Sequence, residues 1–155
     1  MKIVIAADHG GFNLKQGIIL YLEKKGADVI DCGIYDLETA DYPDYAEMAA
    51  KEVLRGDADL GILICGTGIG MCISANKIGG IRCALCTDPF MARMARMHNN
   101  ANMLALGGRV TGCGLAEDIV DAFLNAEFES GGRHERRVAK ITGIEKKYGG
   151  GNDNG

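Results

Sequence analysis

Leu60-Gly61-Ile62-Leu63-Ile64-Cys65-Gly66-Thr67-Gly68-Ile69-Gly70-Met71 decides how the rest of this chain reads. The run Ile62-Leu63-Ile64 is short and apolar, in the manner of a buried parallel strand. Gly66, Gly68 and Gly70 then allow a sharp turn and a close backbone approach to a ligand. Met71 to Ile78 carries few helix breakers and reads as a helix. Strand, glycine loop and helix aim several backbone N–H groups at one small volume, where an anion or a developing oxyanion is stabilised. Cys65 stands at the junction, where the same dipoles favour a thiolate. The stretch therefore reads as a base beside an oxyanion hole. It matches neither G-x-G-x-x-G nor the G-K-[ST] end of a P-loop, since Met71 follows Gly70 and the next lysine is Lys77.

Outward from this stretch, strands and helices alternate. Lys2–Ala7, 27–32, 60–65, 81–87 and 102–106 read as strands. Helical spacing runs over 12–25, closed by Gly26, and over 43–55, with Asp44 and Glu47 at capping-box spacing. It returns after the glycine loop, over 88–98, 112–125 and 133–148. This order predicts an α/β fold: a doubly wound, mainly parallel five-stranded sheet with helices on both faces, a Rossmann-like sandwich. Residues 1–148 are expected to form one domain, and the Gly/Asn/Asp tail 149–155 to be disordered.

The 155 residues suffice for one core, and 25% charged residues with a net charge of −4 give no case for nucleic acid. No apolar run approaches the roughly 18 residues of a membrane helix, and the first residues lack signal-peptide order. Six cysteines in such a chain point to reduced thiols in the cytosol. Cys83 and Cys86 match C-x-x-C, but in a strand they face opposite ways, which argues against zinc or dithiol chemistry.

Ligands of such sheets bind outside the carboxyl ends of the strands. Asp8-His9 and Cys65-Gly66-Thr67 fall there, as does Thr87-Asp88. His98-Asn99-Asn100 ends a helix, where it reads equally as a cap or as a functional group. Arg133 and Arg137 are neighbours at a helix start, with His134 and Arg136 beside them. Cations there oppose the helix dipole, so a bound phosphate is the natural complement, and a partner chain the alternative. Arg109 is a further phosphate candidate. Met91, Met94 and Met97 recur at helical spacing, as core or subunit contact.

Asp8-His9-Gly10-Gly11, Asp41-Tyr42-Pro43-Asp44-Tyr45-Ala46, the loop Cys65–Gly70 and His98-Asn99 together form a set. Asn102–Arg109 and Gly132-Arg133-His134-x-x-Arg137 extend it. In this order and spacing the set resembles the ribose-5-phosphate isomerase B family, whose wider group includes galactose-6-phosphate isomerase subunits. The resemblance runs from about Ile3 to Glu145. It implies interconversion of ribose 5-phosphate and ribulose 5-phosphate with no metal and no cofactor. It further implies a homodimer, or a dimer of dimers, with sites shared between subunits. Carried onto this chain, Cys65 is the base and His98 opens the sugar ring, assisted by Asp8. Gly66, Thr67, Gly68, Ile69 and Gly70 stabilise the enediolate. Asn99 holds the sugar, and Tyr42 lines the pocket. His9, Arg109, Arg133 and Arg137 bind the phosphate. Some relatives use a glutamate base where this chain has Cys72. A six-carbon substrate (allose or galactose 6-phosphate), a non-catalytic phosphate-binding module and a thiol redox protein remain as other classes; the last explains the cysteines but not the arginines.

Overall fold

The computed structural model describes residues 1–36 and 39–149. The tail 150–155 thus lies outside the described residues. The elements follow the order β1 (Lys2–Ala7), α1 (Phe12–Lys24), β2 (Asp28–Asp31), α2 (Tyr42–Arg55), β3 (Leu60–Cys65) and α3 (Ile69–Ala75). They continue with β4 (Cys83–Leu85), α4 (Pro89–Asn99), β5 (Met103–Gly107), α5 (Cys113–Leu124) and α6 (Arg133–Gly149). The five strands form one sheet in the order β2-β1-β3-β5-β4, and every pairing is parallel. The apolar strands β1, β3 and β5 occupy the middle, as sequences buried on both faces must.

Strand alternation sorts the core into two layers. Ile3, Ile5, Ile62, Ile64 and Leu104 face α1, α4 and α5, where Leu14, Ile18, Ala95 and Phe123 meet them. Val4, Leu63, Met103 and Ala105 face α2 and α3, meeting Ala46, Ala50 and Met71. Cys83 belongs to the second layer and Cys86 to the first, so the sheet separates the C-x-x-C pair as its spacing implies. Lys15 is fully buried, and its Nζ donates to Asp31 Oδ1 at 2.6 Å, tying α1 to the end of β2.

Several boundaries move. α2 begins at Tyr42 behind Asp41, with Pro43 in its first turn, so Asp44 lies inside the helix and the capping box at 44 and 47 does not form. β4 keeps only three residues, because Arg82 N–H turns to the Asn102 side chain and Asp88 leaves to cap α4 through Met91 N–H. The helix after the glycine loop starts at Ile69 and stops at Ala75, where Asn76 turns back to bridge Cys83 through both its N–H and its carbonyl. Ala92 and Ala95, not the methionines, are the buried positions of α4, and Met91 is exposed.

Candidate active site

The carboxyl ends of β1, β3 and β5 lock together through backbone. A methyl group on Gly11 would stand 2.3 Å from the carbonyl oxygen of Ile64, and one on Gly108 2.6 Å from that of Gly10. One on Gly10 would stand 2.9 Å from the amide nitrogen of Gly66. Real Cβ atoms do not come so close, so these loops meet only because they lack side chains. Gly108 N–H donates to Cys65 O at 2.8 Å and Arg109 N–H to Gly66 O at 3.0 Å, which fixes the glycine loop against the end of β5.

In this cradle Cys65 is buried, and its Sγ accepts the N–H of Gly68 at 3.1 Å. Gly68 sits at φ 78°, a left-handed conformation that starts α3 and aims this amide back at the sulfur. First-turn amides of α3 have no helical partner four residues back. Thr67 is exposed, and its Oγ1 receives a long contact from Ile69 N–H at 3.4 Å. Tyr42 packs its ring on Gly70, where a methyl group would meet the ring at 2.8 Å, and Arg109 lays its guanidinium beside Gly66. Asp8 Oδ1 accepts from Gly10 N–H and Gly11 N–H at 2.8 and 3.1 Å, so this carboxylate shapes the loop itself. His9 Nδ1 is buried with no hydrogen-bond partner among the described residues, a group that calls for a ligand.

The remaining candidates gather elsewhere. α4 follows β4 and runs against the strands, and its 11 residues span about 16 Å. Its last turn therefore lies at the amino edge of the sheet, beside the start of β5. His98 stands there, and His134 at the start of α6 stacks on it, with ring centroids 3.9 Å apart and planes 5° from parallel. Glu129 approaches both rings, at 4.0 Å from His98 Nε2 and 3.6 Å from His134 Nε2. Glu129 N–H donates to Met97 O, which anchors the segment before α6 to the end of α4. Arg133 Nε donates to His134 Nε2 at 3.2 Å, and Arg137 follows one turn later. The pKa of His134 lies below the ordinary histidine value, because its ring is buried and because His98, Arg133 and Arg137 add positive charge around it. Asn99 is exposed and lines a groove between the end of α3, β4 and α6 with Asn76, Arg82, Ile141 and Tyr148.

One chain thus brings Asp8, His9, Tyr42, Cys65, the glycine loop and Arg109 together. It brings His98, Arg133 and Arg137 together as a second group, with Asn99 in the groove beside it, and it holds the two groups at opposite edges of the sheet. Glu129 was given no role by the sequence, and His134 only a place among the arginines. Their contact with His98 spans more than thirty positions and leaves no mark in local spacing. His98, Glu129 and His134 are also the described residues whose donor atoms lie close enough for a metal ion.

Known proteins resemble this chain in sequence and fold. A model of the ribose/galactose isomerase family matches residues 3–141. The chain belongs to that family. Ribose-5-phosphate isomerase B of Escherichia coli is 50% identical over 146 residues, 94% of this chain and 97% of that one. The structure of ribose-5-phosphate isomerase B from Clostridium thermocellum superposes with a TM-score of 0.93 at 57% identity, covering 96% of this chain and 99% of the other. That of the Mycoplasma genitalium enzyme with bound ribulose 5-phosphate gives 0.88 at 46% identity, over 94% and 97%. No helix among the described residues is long and apolar enough to cross a membrane.

Proposed function

We propose that this family member interconverts ribose 5-phosphate and ribulose 5-phosphate without metal or cofactor. It does so as a homodimer, each site joining the carboxyl edge of one chain to the amino edge of the other. The observation that carries this reading is Cys65, buried in a backbone cradle at the start of α3 with Gly68 N–H on its sulfur. The likeness to a structure that holds ribulose 5-phosphate supports the substrate. The separation of the two groups supports the dimer, as do Ile141, Ile144 and Tyr148, apolar and exposed on α6.

The steps follow from the groups. His98 of the second chain moves a proton between the C1 hydroxyl and the ring oxygen, opening the furanose to the aldehyde. Cys65 thiolate then removes the proton on C2, and the electron pair passes to the carbonyl oxygen. The amides of Gly66 to Gly70, with Thr67, stabilise the resulting enediolate. A proton passes from the C2 hydroxyl to the oxygen on C1, and the Cys65 thiol returns its proton to C1, giving the ketose. His9 and Arg109 hold the phosphate from one side, Arg133 and Arg137 from the other, with bidentate geometry that a lysine does not reproduce. Tyr42 closes the pocket over Gly70, Asn99 binds sugar hydroxyls, and Asp8 assists ring opening while holding its loop. Its six cysteines, all free, suit the reducing cytosol.

A six-carbon phosphate is the second reading, favoured by a galactose-6-phosphate isomerase subunit of Clostridium acetobutylicum at 48% identity over 129 residues. Turnover of ribose, allose and galactose 6- or 5-phosphates in excess chelator separates the readings. The expected result is the highest kcat/KM on ribose 5-phosphate, undiminished by chelator. A higher value on either six-carbon phosphate overturns the substrate, and no turnover of any overturns the enzyme.

A further inference from the structure

At the amino edge two imidazoles and a carboxylate place their donor atoms within 4.8 Å of one another. Nitrogen and carboxylate oxygen in this mixture are the donors that borderline cations take. We propose that His98, Glu129 and His134 form a three-ligand site for a divalent cation of the zinc class, and that filling it removes His98 from the reaction. The inhibitory part rests on the ring-opening role proposed above; the binding part does not.

The donor atoms are prepared. His134 Nε2 accepts the N–H of Arg133, so its lone pair points outward and its proton sits on Nδ1. A cation takes the place of that N–H on the same lone pair.

The distances favour a small contraction. Bonds of about 2.0–2.1 Å in a tetrahedron place ligand atoms about 3.4 Å apart. Glu129 Oε2 is already 3.6 Å from His134 Nε2 and must close roughly half an ångström on His98 Nε2 from 4.0 Å. Two parallel rings cannot aim in-plane lone pairs at one point, so one ring must tilt. The His98 side chain is 32% exposed and that of His134 only 9%, so His98 is the ring that turns. The carboxylate of Glu129 is itself half-exposed, while its backbone is held to Met97 O, and the fourth position stays open to water. Arg133 and Arg137 oppose a dication here, which suits reversible inhibition rather than permanent binding. A ligated and tilted His98 has no lone pair left for a sugar hydroxyl.

The test titrates Co2+ into the chelator-treated full-length protein and follows its visible absorption, with Zn2+ inhibition of ribose 5-phosphate turnover measured alongside. One Co2+ per chain is expected, with nitrogen–oxygen bands and no sulfur-to-cobalt charge transfer. Zn2+ should inhibit, and chelator should restore full turnover. Glu129→Gln should raise the Zn2+ inhibition constant at least tenfold while turnover in chelator stays unchanged. His134→Gln, read by Co2+ absorption alone, provides a second variant if the first fails to fold. A sulfur charge-transfer band, or an inhibition constant indifferent to Glu129, overturns the site, since the metal then sits on a cysteine. Glu129-dependent Co2+ binding without loss of turnover overturns the inhibitory part and the ring-opening role of His98 with it.

Discussion

The two edges of the sheet are built by different means. At the carboxyl edge, Cys65 is set by backbone: Gly10, Gly11 and Gly108 press on neighbouring main chain, and the amide of Gly68 addresses the sulfur directly. At the amino edge, His98, His134 and Arg133 meet side chain against side chain at the ends of helices, and the Glu129 carboxylate joins them from the segment before α6. Backbone cannot change rotamer, so the first arrangement suits a step in which a base must meet one proton in one place. Ionic side chains on helix ends keep some freedom, which suits holding an anion that arrives and leaves. The difference also separates what each edge can do by itself. Cys65, the base proposed above, has no His98 beside it in its own chain, and His98 has no such thiol.

Removing the base should have the largest effect. Cys65→Ala should lower kcat by about 10⁴-fold with little change in KM, because the thiol acts in proton transfer. Deuterium exchange at C2 of ribose 5-phosphate reads that step, and wild-type exchange would reject Cys65 as the base. Mixing Cys65→Ala with Arg137→Ala, assayed at ribose 5-phosphate far below the raised KM of the arginine variant so that neither alone turns over appreciably, should then restore roughly a quarter of wild-type activity, since half the dimers in a random mixture keep one intact site. No recovery after verified subunit exchange would show that each chain builds its site alone.

Next in size is the interlock. Gly11→Ala puts a methyl group 2.3 Å from Ile64 O and should cost about 3 kcal/mol by denaturant unfolding. A substitution that leaves the midpoint unchanged would mean the cradle gives way, contrary to the rigidity ascribed to it. At the amino edge, Arg137→Ala should raise KM about ten- to a hundredfold and leave the unfolding midpoint near wild type. The smallest effect concerns acid. His134 has a folded pKa below its unfolded value, so its contribution to stability is present above the unfolded value near pH 6.5 and is lost as pH falls through the folded one. The thermal midpoint should drop more steeply below pH 6.5 in the wild type than in His134→Asn, and parallel curves would contradict that role.

Much of this was legible in the residues. The alternation of strand and helix gave a parallel sheet, and Cys65 with its three glycines marked the carboxyl edge. Gly26, at φ 79°, closes α1 where the spacing put it. The cap at Asp41 was hidden because Pro43 and the 44/47 pair made a competing start, and the first turn took the proline instead. The place of β4 outside β5 was hidden too, since a three-residue strand carries too little pattern to locate its neighbours. For the site, strand ends and helix starts singled out Asp8, His9, Cys65 and the arginines, and the family resemblance added Tyr42, His98 and Asn99, but neither gave the separation of the two groups. That follows from the direction of α4, and the contact of His134 with His98 from packing that only the folded chain reveals.

The interlocked glycines bear on how such an enzyme can diverge. A cradle without side chains offers a lineage nothing to vary: each single change at Gly11 or Gly108 meets a carbonyl oxygen, and no compensating substitution can shrink a backbone. Innovation is channelled to the rim, where Tyr42 rests on Gly70 and where the helix ends carry their arginines. New substrates are reached by reshaping what surrounds the proton transfer, while the backbone that cradles it stays as it is.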